Sequence, residues 1–171
     1  EDEDTFLGSE LFDVLTDYTR ITFEDLSGGE VVAEQYAPEG VTFDGALQVT
    51  TDVSGTAPID TKAAILDGES TQIDFEDTQA ALGFWALDGA VEIQVQASLD
   101  DVEVYSVTVE VESTHFIGLM FETSVDSIVI STTASDIFGI DDIIFASALD
   151  TDADADADCD GLDPDNLVIF S

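Results

Sequence analysis

The chain has 171 residues, 44% of them hydrophobic, a length and composition that suit one domain with a sizeable core. Its charge is extreme, with 40 Asp and Glu against 2 Lys and Arg, a formal −38. Nucleic acid and anionic membrane surfaces are excluded as partners, because almost nothing here can neutralise phosphates.

Membrane insertion is not expected either, since the longest apolar run, Ala80–Leu87, falls well short of the roughly 18 residues that span a bilayer. The chain opens on Glu1 rather than Met, which reads as a processed form from which a signal peptide has been removed. The expected location is therefore extracellular or at the cell surface. So acidic a surface stays soluble and monodisperse where cations are plentiful, which points to a saline or calcium-rich setting. Cys159 is the single cysteine, so an internal disulfide is excluded. It reads as a tolerated small residue, with an intermolecular bridge as the alternative.

Residues 1–19 form an N-terminal segment. After an acidic start it carries Phe6, Leu7, Leu11, Phe12, Val14 and Leu15. Leu7, Leu11, Phe12 and Leu15 fit one helical face, while Leu11–Leu15 also fits a short strand. Either form has to pack on its own domain or on a neighbouring copy.

Residues 20–148 read as a succession of strands. Ile21–Leu26 alternates and stops at Ser27-Gly28-Gly29. Glu30–Tyr36, Gly40–Gly45, Ala46–Thr51, Ala63–Leu66 and Thr71–Phe75 follow, separated by Gly, Pro and Asp-Gly turns. Ala80–Leu87, with Phe84 and Trp85, is apolar throughout and suits a strand buried on both faces. Val91, Ile93, Val95, Ala97 and Leu99 then share one face, with Glu92, Gln94, Gln96 and Ser98 on the other. Asp100-Asp101 suits a tight hairpin turn. In the next strand Val102 and Val104 are out of phase with Val107, Val109 and Val111, which predicts a β-bulge near Tyr105-Ser106. Phe116–Phe121, Ser127–Ser131 and Ile137–Ala146 complete about ten strands, so the expected fold is an all-β, jelly-roll-like sandwich.

Residues 149–171 are an Asp-rich run with a terminal strand. Asp150, Asp152, Asp154, Asp156, Asp158 and Asp160 alternate, and Asp163 and Asp165 follow. On an extended chain the alternating carboxylates share one edge, an arrangement that repels itself unless hard cations fill it. A disordered acidic tail is the other reading. Asp156, Asp158, Asp160 and Gly161 spell D-x-D-x-D-G, the first half of an EF-hand-type calcium loop, but Leu167 stands where the bidentate Glu belongs. The placing of Asp163 and Asp165 resembles the calcium repeats of thrombospondin type 3 and related Asp-rich bacterial repeats, and calcium is the expected cofactor. Leu167, Val168, Ile169 and Phe170 are too apolar to be left in water, and are expected to add a strand to this sandwich or to a neighbouring subunit.

Phe23-Glu24-Asp25-Leu26, Val31–Tyr36 and Gly40–Phe43, with Ser127–Ile130 and Phe138–Phe145 at the far end, resemble secreted β-sandwich domains of the exosortase-sorted PEP-CTERM surface proteins. The resemblance brackets residues 21–146 and implies a jelly-roll-like fold, secretion and a surface or matrix role. The C-terminal Pro-Glu-Pro signal, hydrophobic helix and basic cluster of that class are missing. Jelly-roll binding modules often hold a calcium between first and last strands, which would fall on Glu24, Asp25, Asp141 and Asp142. Adjacent Asp141 and Asp142 point to opposite faces unless a bulge intervenes.

Catalysis is not expected. A serine nucleophile in the hydroxyl-rich Thr50–Thr56 or Ser131–Ser135 needs a nearby base, and the one histidine, His115, sits at the edge of an apolar strand. Carboxylates are too numerous for any pair to signal a glycosidase. Trp85, Tyr36 and Tyr105 are candidates for an aromatic sugar platform, although Trp85 sits within a core strand. The favoured function is a calcium-stabilised, self-associating subunit of an extracellular filament or matrix. The alternative is a calcium-dependent carbohydrate-binding module with a polysaccharide partner.

Overall fold

The computed structural model describes residues 18–51, 61–66, 70–87, 91–111, 114–132 and 138–147. Its strands are β1 (Thr19–Ile21), β2 (Val31–Val32), β3 (Val41–Phe43), β4 (Leu47–Thr50), β5 (Ala63–Leu66), β6 (Ser70–Leu87), β7 (Val91–Leu99), β8 (Val102–Val111), β9 (His115–Thr132) and β10 (Phe138–Ala146). All the pairings are antiparallel. A 3₁₀ turn over Ala37–Glu39 precedes β3 and closes on Gly40, whose φ of 82° lies in the left-handed region.

Two strands of 18 residues each, β6 and β9, pass through both layers of the sandwich. They pair at both ends and part at a corner between. There residues 75–78 of β6 stand against Asp126 alone, and then residues 121–124 of β9 stand against Ala80 alone. On one side of the corner the order is β2-β4-β5-β10-β6-β9, with β1 prolonging the edge of β10 that β5 begins; we call this layer one. On the other side the order is β3-β6-β9-β7-β8, which is layer two. The fold is thus the all-β sandwich of ten strands that the alternation predicts.

The space between the layers is filled by one apolar cluster with Phe23, Leu82, Phe84, Ile93, Ile117, Leu119 and Ile128 among its fully enclosed members. Phe75 of layer two meets Phe145 of layer one with ring centroids 5.1 Å apart. The hairpin between β7 and β8 turns at Asp100-Asp101, both with positive φ (52° and 63°), as a two-residue type I′ turn requires. The predicted bulge is present one residue early. Ala97 pairs with Tyr105 and Ser98 with Glu103, so Val104 is the extra residue, and it and Tyr105 both turn inward.

Four readings of strand boundaries differ from the structure, and of Glu30–Tyr36 only Val31–Val32 is a strand. Thr71–Phe75 and Ala80–Leu87 are one strand, as are Phe116–Phe121 and Ser127–Ser131, because the polar corner residues bend the chain without ending it. Ile21–Leu26 is not a strand beyond Ile21. Phe23 takes a φ of 62°, and the Leu26 N–H donates to its carbonyl at 3.1 Å, which turns both Phe23 and Leu26 into the core.

Candidate functional site

Of the four acids expected between first and last strands, Asp141 and Asp142 lie at a seam in layer one, Glu24 binds the start of β5, and Asp25 turns to Tyr36. β5 covers β10 over Phe138–Ile140 and β1 covers it over 143–145, which leaves Asp141 and Asp142 at the gap between them. A bulge does intervene: Asp141 pairs with Trp85 and Ile144 with Gly83, so Asp142 and Ile143 together oppose Phe84. Asp142 adopts a φ of 49°, a conformation Asp tolerates better than most side chains. Its N–H donates to Asp141 Oδ1 at 2.9 Å.

Both of the chain's Lys and Arg residues serve this seam. Arg20 forks onto the 1%-exposed carboxylate of Asp142, Nε to Oδ1 at 2.7 Å and Nη2 to Oδ2 at 2.9 Å. Glu24 accepts from the Thr61 N–H and the Lys62 N–H, each at 2.6 Å, and from the Thr61 hydroxyl at 2.9 Å, while Lys62 Nζ donates to the Glu24 carbonyl. Desolvation alone would raise the Glu24 carboxyl. The Thr61 hydroxyl, the two N–H donors and the Lys62 charge outweigh it and hold the group below its ordinary value of 4.5.

Asp25 accepts the Tyr36 hydroxyl at 2.6 Å, and burial, then Asp25, push that phenol far above its usual range. The structure therefore does not gather Glu24, Asp25, Asp141 and Asp142 into one ligand set. Among the described residues no group of three or more His, Cys, Asp or Glu is arranged to hold a metal ion. Asp150, Asp152, Asp154, Asp156, Asp158, Asp160, Asp163 and Asp165, and the apolar Leu167–Phe170, lie outside the described residues.

The aromatic candidates are committed to packing. Trp85 is 8% exposed and meets Phe116 edge-on at 5.5 Å. Tyr36 packs on Phe23 and Phe43 and is 5% exposed. Tyr105 lies against Phe121 at 5.5 Å, and its hydroxyl accepts the Glu122 N–H at 2.7 Å. None of the three offers a sugar platform.

The outward face of layer two carries what sequence reading passed over. Register places Asp74, Ser127, Ser98 and Glu103 in one row, Gln72, Val129, Gln96 and Ser106 in the next, and Ser70, Ser131, Gln94 and Thr108 in a third. Each row crosses β6, β9, β7 and β8, and none of these twelve side chains is buried. Neighbours at about 4.8 Å across the strands and about 7 Å along them make a lattice that is polar at every position but Val129. Its amides are held by neighbouring side chains. Gln96 Nε2 donates to Glu103 at 2.8 Å, Gln72 Nε2 to Asp74 at 2.8 Å, and Gln94 Nε2 to the Ser106 hydroxyl at 3.3 Å. Each such amide presents its carbonyl oxygen as a further acceptor. The alternation of Glu92, Gln94, Gln96 and Ser98 showed one polar strand face. Only the registers of three further strands make it a surface.

No protein-family model matches the sequence, and no curated protein matches it. Solved structures are similar to this chain, one of them at a TM-score that marks a shared fold. The catalytic domain of a GH87 α-1,3-glucanase, in complex with tetrasaccharides, superposes with a TM-score of 0.50 at 11% identity over 84% of this chain, which spans 30% of that one. A variant of the family 29 carbohydrate-binding module CBM29-2 gives 0.44 at 12% identity, covering 78% of this chain and 94% of the module. The CBM22-1–GH10 modules of a Clostridium thermocellum xylanase give 0.44 at 15%, covering 78% of this chain and 29% of that one. Identities this low speak to fold alone.

Proposed function

We propose that this is a non-enzymatic, extracellular β-sandwich module that holds an uncharged polysaccharide on the outward face of layer two. The observation that carries the reading is the three-row lattice of Ser, Thr, Gln, Asp and Glu, with Val129 as its one apolar member, over four strands. Carboxylate and amide oxygens accept from sugar hydroxyls, and the Ser and Thr hydroxyls both donate and accept. The absence of cations among its twelve residues disfavours acidic glycans, which the net charge repels at long range. With no stacking ring on the lattice, binding is expected to be weak per sugar and to gain from a long, repetitive ligand. Calcium belongs to this proposal as the ion of the Asp150–Asp165 run, supported by the D-x-D-x-D-G spacing and the net charge of −38. Assembly into a filament or matrix and sorting by the exosortase route draw their support from the sequence alone.

The test is co-sedimentation with insoluble neutral glucans and xylans, with and without EGTA. The chain should sediment with at least one of them, and Gln94→Ala/Gln96→Ala should lose most of that binding while melting at an unchanged temperature. Binding that survives this double substitution would move the site off layer two. Failure to bind any neutral glycan, with or without calcium, would end the carbohydrate reading.

A further inference from the structure

Layer one is apolar on its outward side as well. A second cluster, with Ala81, Trp85, Leu87, Phe116, Ile144 and Ala146 among its members, consists solely of residues from β5, β6, β9 and β10. Yet Trp85 is 8% exposed, Phe116 6% and Leu87 5%. Side chains that stand perpendicular to a sheet, with neighbours only in that sheet, keep their tops in water. Burial this deep of an indole and a phenyl ring needs another layer above them, and no other described element belongs to the cluster. We propose that the chain's own apolar N-terminal segment, Phe6–Leu15, is that layer.

The entry point of the chain favours this segment. β1 begins at Thr19, which pairs with Phe145, and the next residue of β10, Ala146, faces outward into the cluster. Residues 16–18 bridge no more than about 14 Å, which keeps Leu15 within reach of that end of the face. Size agrees. The face crosses β5, β10, β6 and β9, about 14 Å at 4.8 Å per strand, and ten residues of helix extend about 15 Å.

Shape agrees too. Ala146 pairs with Ala81 and Gly83 with Gly118, which gives a low strip that Ile144 of β10 and Met120 of β9 flank, with the Trp85–Phe116 pair beside it. The low strip between these side chains accepts the bulk of apolar residues from among Phe6, Leu7, Leu11, Phe12 and Leu15. The other apolar terminal run, Leu167–Phe170, reaches the face only through residues 147–166, whose alternating carboxylates would be costly to draw over an apolar surface. A second copy is not needed, because the burial is that of one chain. With this side sealed from within, the lattice of layer two is the broad sheet face left to a ligand.

Trp85 is the chain's only tryptophan, so one fluorophore reports on the face. In the full chain its emission should be blue-shifted and poorly quenched by acrylamide, a neutral quencher that the protein's charge does not repel. Leu11→Asp and Leu15→Asp should each raise the quenching constant several-fold with the far-UV strand signal retained, whereas Ile169→Asp should leave it unchanged. Independently of any variant, isotope-edited NMR of the unmodified chain should show contacts from the Trp85 indole to the methyls of Leu7, Leu11 or Leu15. Contacts to Leu167–Ile169 in their place, or none from Phe6–Leu15 to the face, would overturn the proposal. So would contacts that arise only between labelled and unlabelled chains in a mixture.

Discussion

From Ala80 to Leu87 every residue of β6 is buried, while from Ser70 to Phe75 the same strand alternates exposed and buried. β9 divides in the same way, with Phe116–Phe121 enclosed in layer one and Ser127, Val129 and Ser131 turned outward in layer two. One pair of strands thus enters two environments. The change falls at the polar corner Glu76-Asp77-Thr78, where the pairing with β9 is interrupted. A sheet apolar on both sides needs cover on both, whereas a sheet apolar on one side leaves the other for binding. Charge follows the same division. Both of the chain's cations brace the edge of layer one, and the lattice of layer two carries acids with none.

The sharpest way to break this comparison is to make matched truncations on the two outward faces. Phe116→Ala in layer one should lower the unfolding free energy by about 3–5 kcal/mol, the usual range for an enclosed phenyl group. Val129→Ala, outward in layer two and only half-buried, should cost under about 1 kcal/mol. Urea at fixed salt is the proper denaturant, since guanidinium would also screen the net charge of −38. Similar costs at the two positions would mean that the faces do not differ as described.

Much of this division was legible in the sequence. The unbroken apolar run Ala80–Leu87 announced a strand covered on both faces, and the alternation from Val91 to Leu99 announced one covered on a single face. The phase change in β8 required a bulge and located it to within a residue. What periodicity could not supply was long-range. Nothing local says that Arg20 faces Asp142, 122 positions away, or that Ser70, Ser131, Gln94 and Thr108 form one row. Phe23 was misread because its left-handed backbone is set by tertiary contacts, against its own propensity. A sequence also cannot tell a carboxylate waiting for an ion from one already paired with an arginine, as Asp142 is.

The second test concerns that pair. Arg20→Met leaves the enclosed Asp142 carboxylate without its guanidinium, and should cost about 2–4 kcal/mol. Arg20→Lys should recover only part, since an ammonium cannot reproduce the two-pronged contact. Arg20→Met/Asp142→Asn should be more stable than Arg20→Met alone, because Asn tolerates the left-handed backbone and brings no buried charge. A double variant no better than the single would show that the cost of Arg20→Met lies in lost packing of its stem.

The smallest effect is the most specific, because it sets one acid of the seam against one acid of the lattice. Glu24 is held below 4.5 in the folded chain by donors from Thr61 and Lys62. A carboxyl whose folded value is depressed contributes stability that is fully present above its unfolded value and is lost as the pH falls through the folded one. Glu24→Gln should therefore lower stability by about 1 kcal/mol at pH 7, where charge-assisted hydrogen bonds are exchanged for weaker ones. That gap should narrow below pH 4.5. Protonation of the other carboxylates relieves self-repulsion in the same range, but it acts on parent and variant alike and cancels in the difference. Glu103→Gln, on the open face where Gln96 donates to it, should run the other way at low salt, leaving stability unchanged or slightly raised by the loss of one negative charge. Melting temperatures of the three chains from pH 3 to 7 decide the matter. A Glu24→Gln gap that stays constant across that range would show that its carboxylate is not what ties β1 to the start of β5.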